Sequence, residues 1–365
     1  MTNPILGNAS DAVLPATRSA AKPSATSATS PAGPTQGMRA WQWRGPGDQG
    51  LIDTPVPTPA ADELLIAVEA SGLCGTDLRI LAGGYGHAKA PQVIGHEFAG
   101  TVAAVGSAVA DYAVGDLVAA DPNVYCLACE WCSRQAYNLC ANIQAIGVSR
   151  AGSMAEYVTV PARLAVKLPG GFDPALGALI EPLSCVLHGI ERGAVVGGRT
   201  MAVYGAGAIG LMAVAVAAQR GVAVTVVEPL AMRRERAEAV GAVAATGELA
   251  AGARFDYVLD ASGAPPAVAD GLGRLRKRGT FIQMGVTPMD FRLPLTPYDL
   301  YENEWRVIGS NSVADCYERA AALMPSIAEP MRQLVTHTLP LAELPQAVEL
   351  IADPAAVKVQ IDPRL

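Results

Sequence analysis

The pattern of hydrophobic and polar positions changes character within the chain. From Met38 to about Ser184, short Val- and Ala-rich runs such as ELLIAVEA, EFAGTVAAVG and GDLVAA are separated by Gly, Asp or Pro. Short apolar runs bounded by turn residues are typical of β-strands, so this region predicts a compact barrel of short strands. After residue 185, apolar strands alternate with helical segments, which predicts a parallel, doubly wound sheet. The pattern as a whole predicts an α/β protein of two domains.

The first 37 residues differ from the rest of the chain. The stretch PATRSAAKPSATSATSPAGPTQG is mostly Ala, Ser, Thr and Pro, which bury too little surface to offset the entropy of ordering the chain. We therefore expect residues 1–37 to be a disordered tail. The tail lacks the apolar core of a signal peptide, and a transit peptide would usually carry more Arg. Because ordered-looking sequence begins at Met38, that residue is a candidate natural start.

Charge and hydropathy exclude several classes of partner. The formal net charge is −7 and there is no run of Lys or Arg, which argues against nucleic acid and anionic membranes. No apolar stretch reaches the ~18–20 residues of a membrane span. The seven cysteines are an odd number with one dense cluster, which makes a poor disulfide framework. We expect a cytoplasmic protein.

Four cysteines lie in the stretch CLACEWCSRQAYNLC, at Cys126, Cys129, Cys132 and Cys140. Two-residue gaps let three thiolates of one loop converge, and the longer gap brings the fourth around. Disulfides need partners farther apart than a CxxC spacing normally permits, and a redox pair needs only two thiols. The spacing therefore predicts a closed, structural zinc site with four sulfur ligands.

A glycine-rich turn, GAGAIG, follows an apolar strand and opens an apolar helix. In that context it predicts a dinucleotide site at Gly205, Gly207, Ile209 and Gly210. Gly205 permits the tight turn, Gly207 lets the backbone approach a pyrophosphate, and Gly210 lets the helix close on the sheet. Glu228 ends the next strand, where a carboxylate binds both ribose hydroxyls and repels a 2′-phosphate. The motif favours NAD over NADP.

A second set of chemically active residues comes from separate segments. Cys74 and Thr76 lie in SGLCGTDLRI, His96 and Glu97 in VIGHEFAG, and Glu181 in LIEPLSCVLHG. Taken singly, each is compatible with an ordinary core or surface role. Together, a thiolate, an imidazole and one or two carboxylates form an incomplete zinc shell that leaves room for water or substrate.

These motifs, in this order, resemble the zinc-containing medium-chain dehydrogenases/reductases, and among them the sorbitol/polyol and threonine dehydrogenase branch. The resemblance runs from Met38 to Leu365 and rests on GLCGTD, GHEFAGTVAAVG, the cysteine loop, EPLSCVLHG, YGAGAIG and VEPLAMRRERAEAVGA. It implies a GroES-like catalytic domain at residues 38–184 and 311–365. A Rossmann-like domain at residues 185–310 is inserted between them, and the active site lies in the cleft.

The resemblance also implies roles for single residues. Cys74 and His96 match ligands of the catalytic zinc, and Glu97 matches a carboxylate that binds the metal or stands beside it. Glu181 falls where the polyol branch has a glutamate in place of a ligand cysteine. Thr76 matches the hydroxyl that hydrogen-bonds the substrate oxygen. Arg233 matches a basic residue beside the adenosine ribose.

Arg79 departs from the family pattern, because many members have a relay histidine at this position. A guanidinium does not accept a proton at ordinary pH. The proton then leaves through Thr76 and the cofactor ribose or through water. Alternatively, Arg79 binds an anionic substrate group, or it is a solvated surface side chain.

The sequence thus predicts a dehydrogenase that transfers a hydride between a secondary alcohol or polyol and NAD, with two zinc ions per chain. The alternatives are a dehydrogenase of an amino alcohol or a phosphorylated polyol, and a non-catalytic, zinc-stabilised NAD-binding protein. The expected partners are a small-molecule alcohol and further copies of the chain, since the resemblance implies a dimer or tetramer.

Overall fold

The computed structural model describes residues 37–365, so residues 1–36 of the expected disordered tail lie outside the described part. The strands are β1 (Met38–Gly45), β2 (Asp48–Thr54), β3 (Glu63–Gly72), β4 (Gln92–Val93), β5 (Glu97–Val105), β6 (Leu117–Ala120), β7 (Asn123–Val124), β8 (Gln144–Ala145), β9 (Tyr157–Pro161), β10 (Ala165–Lys167), β11 (Thr200–Tyr204), β12 (Ala223–Val227), β13 (Ala244–Thr246), β14 (Phe255–Asp260), β15 (Leu275–Gln283), β16 (Arg306–Gly309), β17 (Val335–Pro340) and β18 (Lys358–Asp362). The helices are α1 (Gly75–Leu81), α2 (Glu130–Ser133), α3 (Pro174–Ala178), α4 (Ile180–Arg192), α5 (Ala208–Gln219), α6 (Ala231–Ala239), α7 (Pro265–Leu272), α8 (Pro297–Asn303), α9 (Tyr317–Leu323), α10 (Ala328–Arg332) and α11 (Leu344–Leu350).

The first region forms a largely antiparallel β structure. One sheet has the order β2-β1-β4, and a larger one has the order β10-β6-β5-β3-β18-β17, with β9 also paired to β3. Trp41 N donates to Met154 O (2.8 Å) and Glu156 N donates to Arg39 O (3.0 Å), so β1 is joined to the segment that leads into β9. The C-terminal strands β17 and β18 complete the larger sheet, which brings the end of the chain against its beginning.

The second region is a six-stranded sheet of the order β13-β12-β11-β14-β15-β16, and every neighbouring pair is parallel. Helix α5 is apolar nearly all round and most of its side chains are buried, as expected of a helix enclosed by a sheet and other helices. The strand order reverses between β11 and β14. A crevice at the carboxyl ends of the strands at this reversal is where doubly wound sheets bind ligands.

The two regions share a core instead of meeting at a simple boundary. Helix α4 runs straight through residue 184, the expected first domain boundary. Tyr317, Ala320 and Met324, which follow the second expected boundary at 310, are buried in one cluster with Met201 and Val214 of the parallel sheet and its helix. Residues 317–327 therefore pack into a core to which both regions contribute. Within residues 37–365, no helix is both long enough and apolar enough to cross a bilayer.

Candidate active site and metal centres

The cysteine loop brings four thiols together on one side of the first region. Cys129 caps helix α2, which turns Cys132 back toward it. The sulfur of Cys129 lies 3.6 Å from that of Cys132 and 3.9 Å from that of Cys140, and Cys140 lies 3.5 Å from Cys126. A tetrahedral zinc with Zn–S bonds of about 2.3 Å holds its sulfurs about 3.8 Å apart, so the loop fits that ion. All four are free thiols.

The loop also favours the thiolate form of Cys126 and Cys129, whereas burial raises the pKa of Cys132 to about 11. The backbone N–H of Ala128 and the side-chain amide of Asn142 lower the pKa of Cys126 to about 6. A thiol with such a pKa is deprotonated near neutral pH, which is the form that binds a metal.

A second donor cluster forms where β3 ends and β5 begins. Cys74 precedes helix α1, and His96 and Glu97 lie at the start of β5. One donor atom from each of the three lies within 4.8 Å of the others, so these residues fit a metal ion. His96 and Glu97 are buried, and Cys74 is partly exposed toward a cavity. The structure therefore brings together three of the four residues expected at the catalytic metal.

Glu181, the fourth expected ligand, lies in the first turn of α4 and lines the same cavity. It does not belong to the 4.8 Å cluster formed by the donor atoms of Cys74, His96 and Glu97 among the described residues. Burial raises the pKa of Glu181 to about 7. The thiol of Cys185, one turn later, lies 3.7 Å from Glu181 Oε1 and donates to it.

Asp77 is a site residue that the sequence analysis overlooked. Its fully buried carboxylate accepts hydrogen bonds from Cys74 N (2.9 Å) and Gly95 N (3.2 Å), and its Oδ1 lies 3.4 Å from His96 Nδ1. Burial opposes a charge on His96, but the nearby Asp77 outweighs it and holds the pKa of His96 well above its usual value. Since Nδ1 faces Asp77, Nε2 is the nitrogen left for a metal. The sequence signal for this role is the position of Asp77 three residues after Cys74, which caps helix α1, because a carboxylate at that position bonds back to the backbone of the capping residue.

Lys358 is the second overlooked residue. Its Nζ donates to both oxygens of Glu97, at 2.8 and 2.6 Å, and both side chains are almost wholly buried. Burial alone would lower the pKa of Lys358, but the charge of Glu97 raises it. No local pattern signals this contact, because 261 residues separate the partners.

The cavity above the donor cluster has a volume of about 280 Å³ and combines polar and apolar walls. Thr76, Tyr85 and Asn123 supply polar groups, while Ile146 and Met284 supply apolar surface. Such a mixture suits a small molecule whose hydroxyl groups must be oriented.

Arg79 lies on α1 and its side chain is exposed. It is not one of the described residues that line the cavity. This position matches the solvated alternative and offers no support for an anion-binding role.

The glycine motif has the geometry that its sequence context predicts. Gly205 has φ +95°, in the region that favours glycine, and Gly207 caps helix α5 with open space around it. A side chain at Gly210 would overlap the carbonyl oxygen of Gly205, so the helix closes on the turn. Ile209 lines the cavity next to the donor cluster. The turn thus places the start of α5 between the parallel sheet and the cavity.

Glu228 and Arg233 follow this turn in the chain, and their side chains contact different parts of the protein. The buried Glu228 carboxylate accepts from Ala206 N (2.8 Å) and Leu230 N (3.1 Å), which sets it against the glycine turn. Arg233 donates to the carbonyls of Pro354 (3.1 Å) and Ala356 (3.2 Å) in the C-terminal segment. Its role beside the ribose stays a prediction.

Comparisons with known proteins agree with this architecture. Residues 60–170 match the model of the alcohol dehydrogenase GroES-like domain, and residues 208–328 match that of the zinc-binding dehydrogenases. The chain is 35% identical to D-altritol 5-dehydrogenase of Agrobacterium fabrum over 333 residues, which covers 88% of this chain and 99% of the relative. It is 32% identical to sorbitol dehydrogenase of Halalkalibacterium halodurans, covering 87% of this chain and 97% of the relative.

A solved zinc-binding dehydrogenase from Sinorhizobium meliloti, bound to NADP, superposes with a TM-score of 0.86 at 34% identity, over 90% of this chain and all of the other. The expected GroES-like and Rossmann-like architecture and the expected family are therefore confirmed. The chain belongs to the zinc-binding dehydrogenase family and is a zinc-dependent, NAD(P)-linked oxidoreductase of alcohols.

Proposed function

We propose that the protein oxidises a secondary hydroxyl of a polyol, with NAD as the preferred acceptor, in the cavity above Cys74, His96 and Glu97. The observation that carries the proposal is the donor cluster at the base of a cavity that also presents Thr76, Tyr85 and Asn123. A polyol has several hydroxyls, and polar groups on more than one wall can bind them. The relatives named for altritol and sorbitol support the same substrate class.

The roles of the site residues follow from their positions. When bound, zinc supplies a positive charge that favours loss of the alcohol proton, and NAD accepts the hydride. Cys74 and His96 hold the metal, Asp77 fixes the imidazole through Nδ1, and a carboxylate of Glu97 or Glu181 completes the donor set. Thr76, in the first turn of α1, accepts the proton from the substrate hydroxyl and releases its own hydroxyl proton to the cofactor ribose or to water.

We propose that the cysteine loop holds the second zinc ion, which stabilises the loop and takes no part in the chemistry. Elemental analysis of protein made with ample zinc should therefore give two ions per chain. A value of one or none would contradict the two-site interpretation.

Glu228 favours NAD in this proposal. Its buried carboxylate stands against the glycine turn, where it would repel a 2′-phosphate. The guanidinium of Arg233 is directed at the carbonyls of Pro354 and Ala356, and that of Arg234 at the carbonyls of Glu228 and Pro229, so neither forms an ion pair with the Glu228 carboxylate. A higher kcat/KM with NADP than with NAD would reject the preference.

The test of the activity is a panel of polyols, simple alcohols, amino alcohols and sugar phosphates, followed by NADH absorbance. Thr76→Val should lower kcat/KM on the best polyol by about 100-fold or more while leaving zinc content unchanged. Thr58→Val, at an exposed position, is the matched control and should behave like the wild type. No turnover on any polyol, with zinc and NAD bound, would reject the proposal.

We also propose a cytoplasmic homo-oligomer that assembles through the outer edge of the parallel sheet. Strand β16 forms that edge, and Val307 on it is exposed together with Tyr298 and Tyr301 of the nearby helix α8. Exposed apolar side chains beside an open strand edge suit pairing with a second copy. Val307→Lys should shift the mass in sedimentation equilibrium toward the monomer, and an unchanged mass would reject this interface.

A further inference from the structure

The buried ion pair between Lys358 and Glu97 uses every donor of the lysine. Two of its N–H groups point at the Glu97 oxygens, at 2.8 and 2.6 Å, and Nζ also lies 3.4 Å from the carbonyl oxygen of Leu73. The pair lies directly beside Cys74 and His96. Glu97, which offers a donor atom to the metal cluster, is thus already fully engaged by a cation.

The backbone holds this arrangement from two sides. Lys358 is the first residue of β18, and Leu73 N donates to Val359 O at 2.9 Å, which ties the lysine to the segment before Cys74. Gly72 faces Glu97 across the β3–β5 ladder, and a side chain there would overlap the Glu97 carboxylate. The Glu97 carboxylate therefore occupies the space left by the absent side chain of Gly72, and Lys358 contacts its two oxygens.

A cation bonded to both oxygens of a carboxylate competes with a metal for the same electron pairs. It also repels a second cation that approaches those oxygens, and burial strengthens both effects. A carboxylate that gave its full charge to the metal would reduce the metal's pull on an alcohol oxygen. The lysine thus determines how much of the Glu97 charge the metal receives.

We propose that Lys358 is a positioning residue that restrains Glu97 from binding the metal fully, an inference that rests on the proposed zinc site. Lys358 keeps Glu97 a compensated, weak donor and leaves a coordination position for the substrate. Removing the lysine charge then has two consequences with opposite signs: the metal-free protein becomes less stable, and the catalytic zinc is held more tightly.

The experiment measures zinc release to a chromogenic chelator from the fully loaded enzyme, with the cysteine-loop zinc as an internal reference. Lys358→Met should slow release of the catalytic zinc by about tenfold, the scale on which outer partners change metal affinity. It should also lower kcat more than it changes KM. A purely structural role for Lys358 predicts the reverse, because a loosened site releases zinc faster.

Two further variants control the interpretation. Lys358→Arg keeps the charge and should release zinc at the wild-type rate. The double variant Glu97→Gln with Lys358→Met removes both charges, so it should lose the slow release. Unchanged or faster release from Lys358→Met would overturn the inference. Should that variant not fold, Lys358→Gln replaces it with the same expected sign and the same overturning result.

The wild-type zinc content separates this inference from the proposed function. A wild type with fewer than two zinc ions per chain rejects the proposed metal site itself. A wild type with two ions, and no slowed release in the lysine variant, rejects only the role of Lys358.

Discussion

Two glycines of the cofactor turn offer a prediction in which stability and cofactor binding separate. Gly205 has φ +95°, and a Cβ built on it would lie 3.2 Å from Ser262 Cβ and 3.3 Å from Ser262 N. A side chain in that backbone region costs about 1–2 kcal/mol, and the tight contacts add to this cost. Gly205→Ala should therefore lower the free energy of unfolding by roughly 2–3 kcal/mol, which lowers Tm by several degrees.

Gly207 gives the contrasting variant. Its φ is −77° and no atom lies within 4 Å of the position of a Cβ, so Gly207→Ala introduces no strain into the protein alone. Its stability should stay within about 1 kcal/mol of the wild type. The added methyl occupies the space into which a pyrophosphate must come. A steric cost of about 1–3 kcal/mol there weakens NAD binding roughly 5- to 150-fold.

The assays are thermal unfolding without cofactor and isothermal titration with NAD. Gly170→Ala is the control, because Gly170 also has open space around it and lies outside the cofactor turn. If Gly207→Ala bound NAD like the wild type, the assignment of this turn to the pyrophosphate would be refuted. If it lost as much stability as Gly205→Ala, the absence of strain at Gly207 would be refuted.

Three other variants test separate parts of the molecule. Cys129→Ala should remove one zinc per chain and lower Tm by several degrees while folded molecules keep their turnover; a normal Tm with no turnover would contradict this. Asp77→Asn should weaken retention of the catalytic zinc by about 10- to 100-fold, whereas Asp53→Asn, at an exposed position, should not; equal retention in both would exclude the orienting role of Asp77. Arg79→His should leave kcat/KM unchanged on neutral and phosphorylated polyols alike, because Arg79 is exposed and away from the cavity; a rise in KM for the phosphorylated series alone would restore the anion-binding alternative.

Local features of the sequence determined much of this protein. The spacing of Cys126, Cys129, Cys132 and Cys140 brings four sulfurs together because a short loop has few ways to arrange them. The strand, glycine turn and apolar helix around Gly205 are likewise a contiguous unit. Alternating strands and helices predicted a doubly wound sheet, since each element must bury its apolar face against the next.

Relations between distant segments were decided only by the tertiary structure. Lys358 meets Glu97 because β18 returns beside β3, and no pattern within either segment records that pairing. The sequence also leaves the direction of a side chain undetermined. Both Arg79 and Arg233 are of a residue type that binds anionic groups. In the structure, Arg79 is exposed to solvent and Arg233 donates to the carbonyls of Pro354 and Ala356. Spacing constrains what a short loop can do, but long-range packing decides which buried charge finds which partner, because only the folded core brings such groups together and removes the water between them.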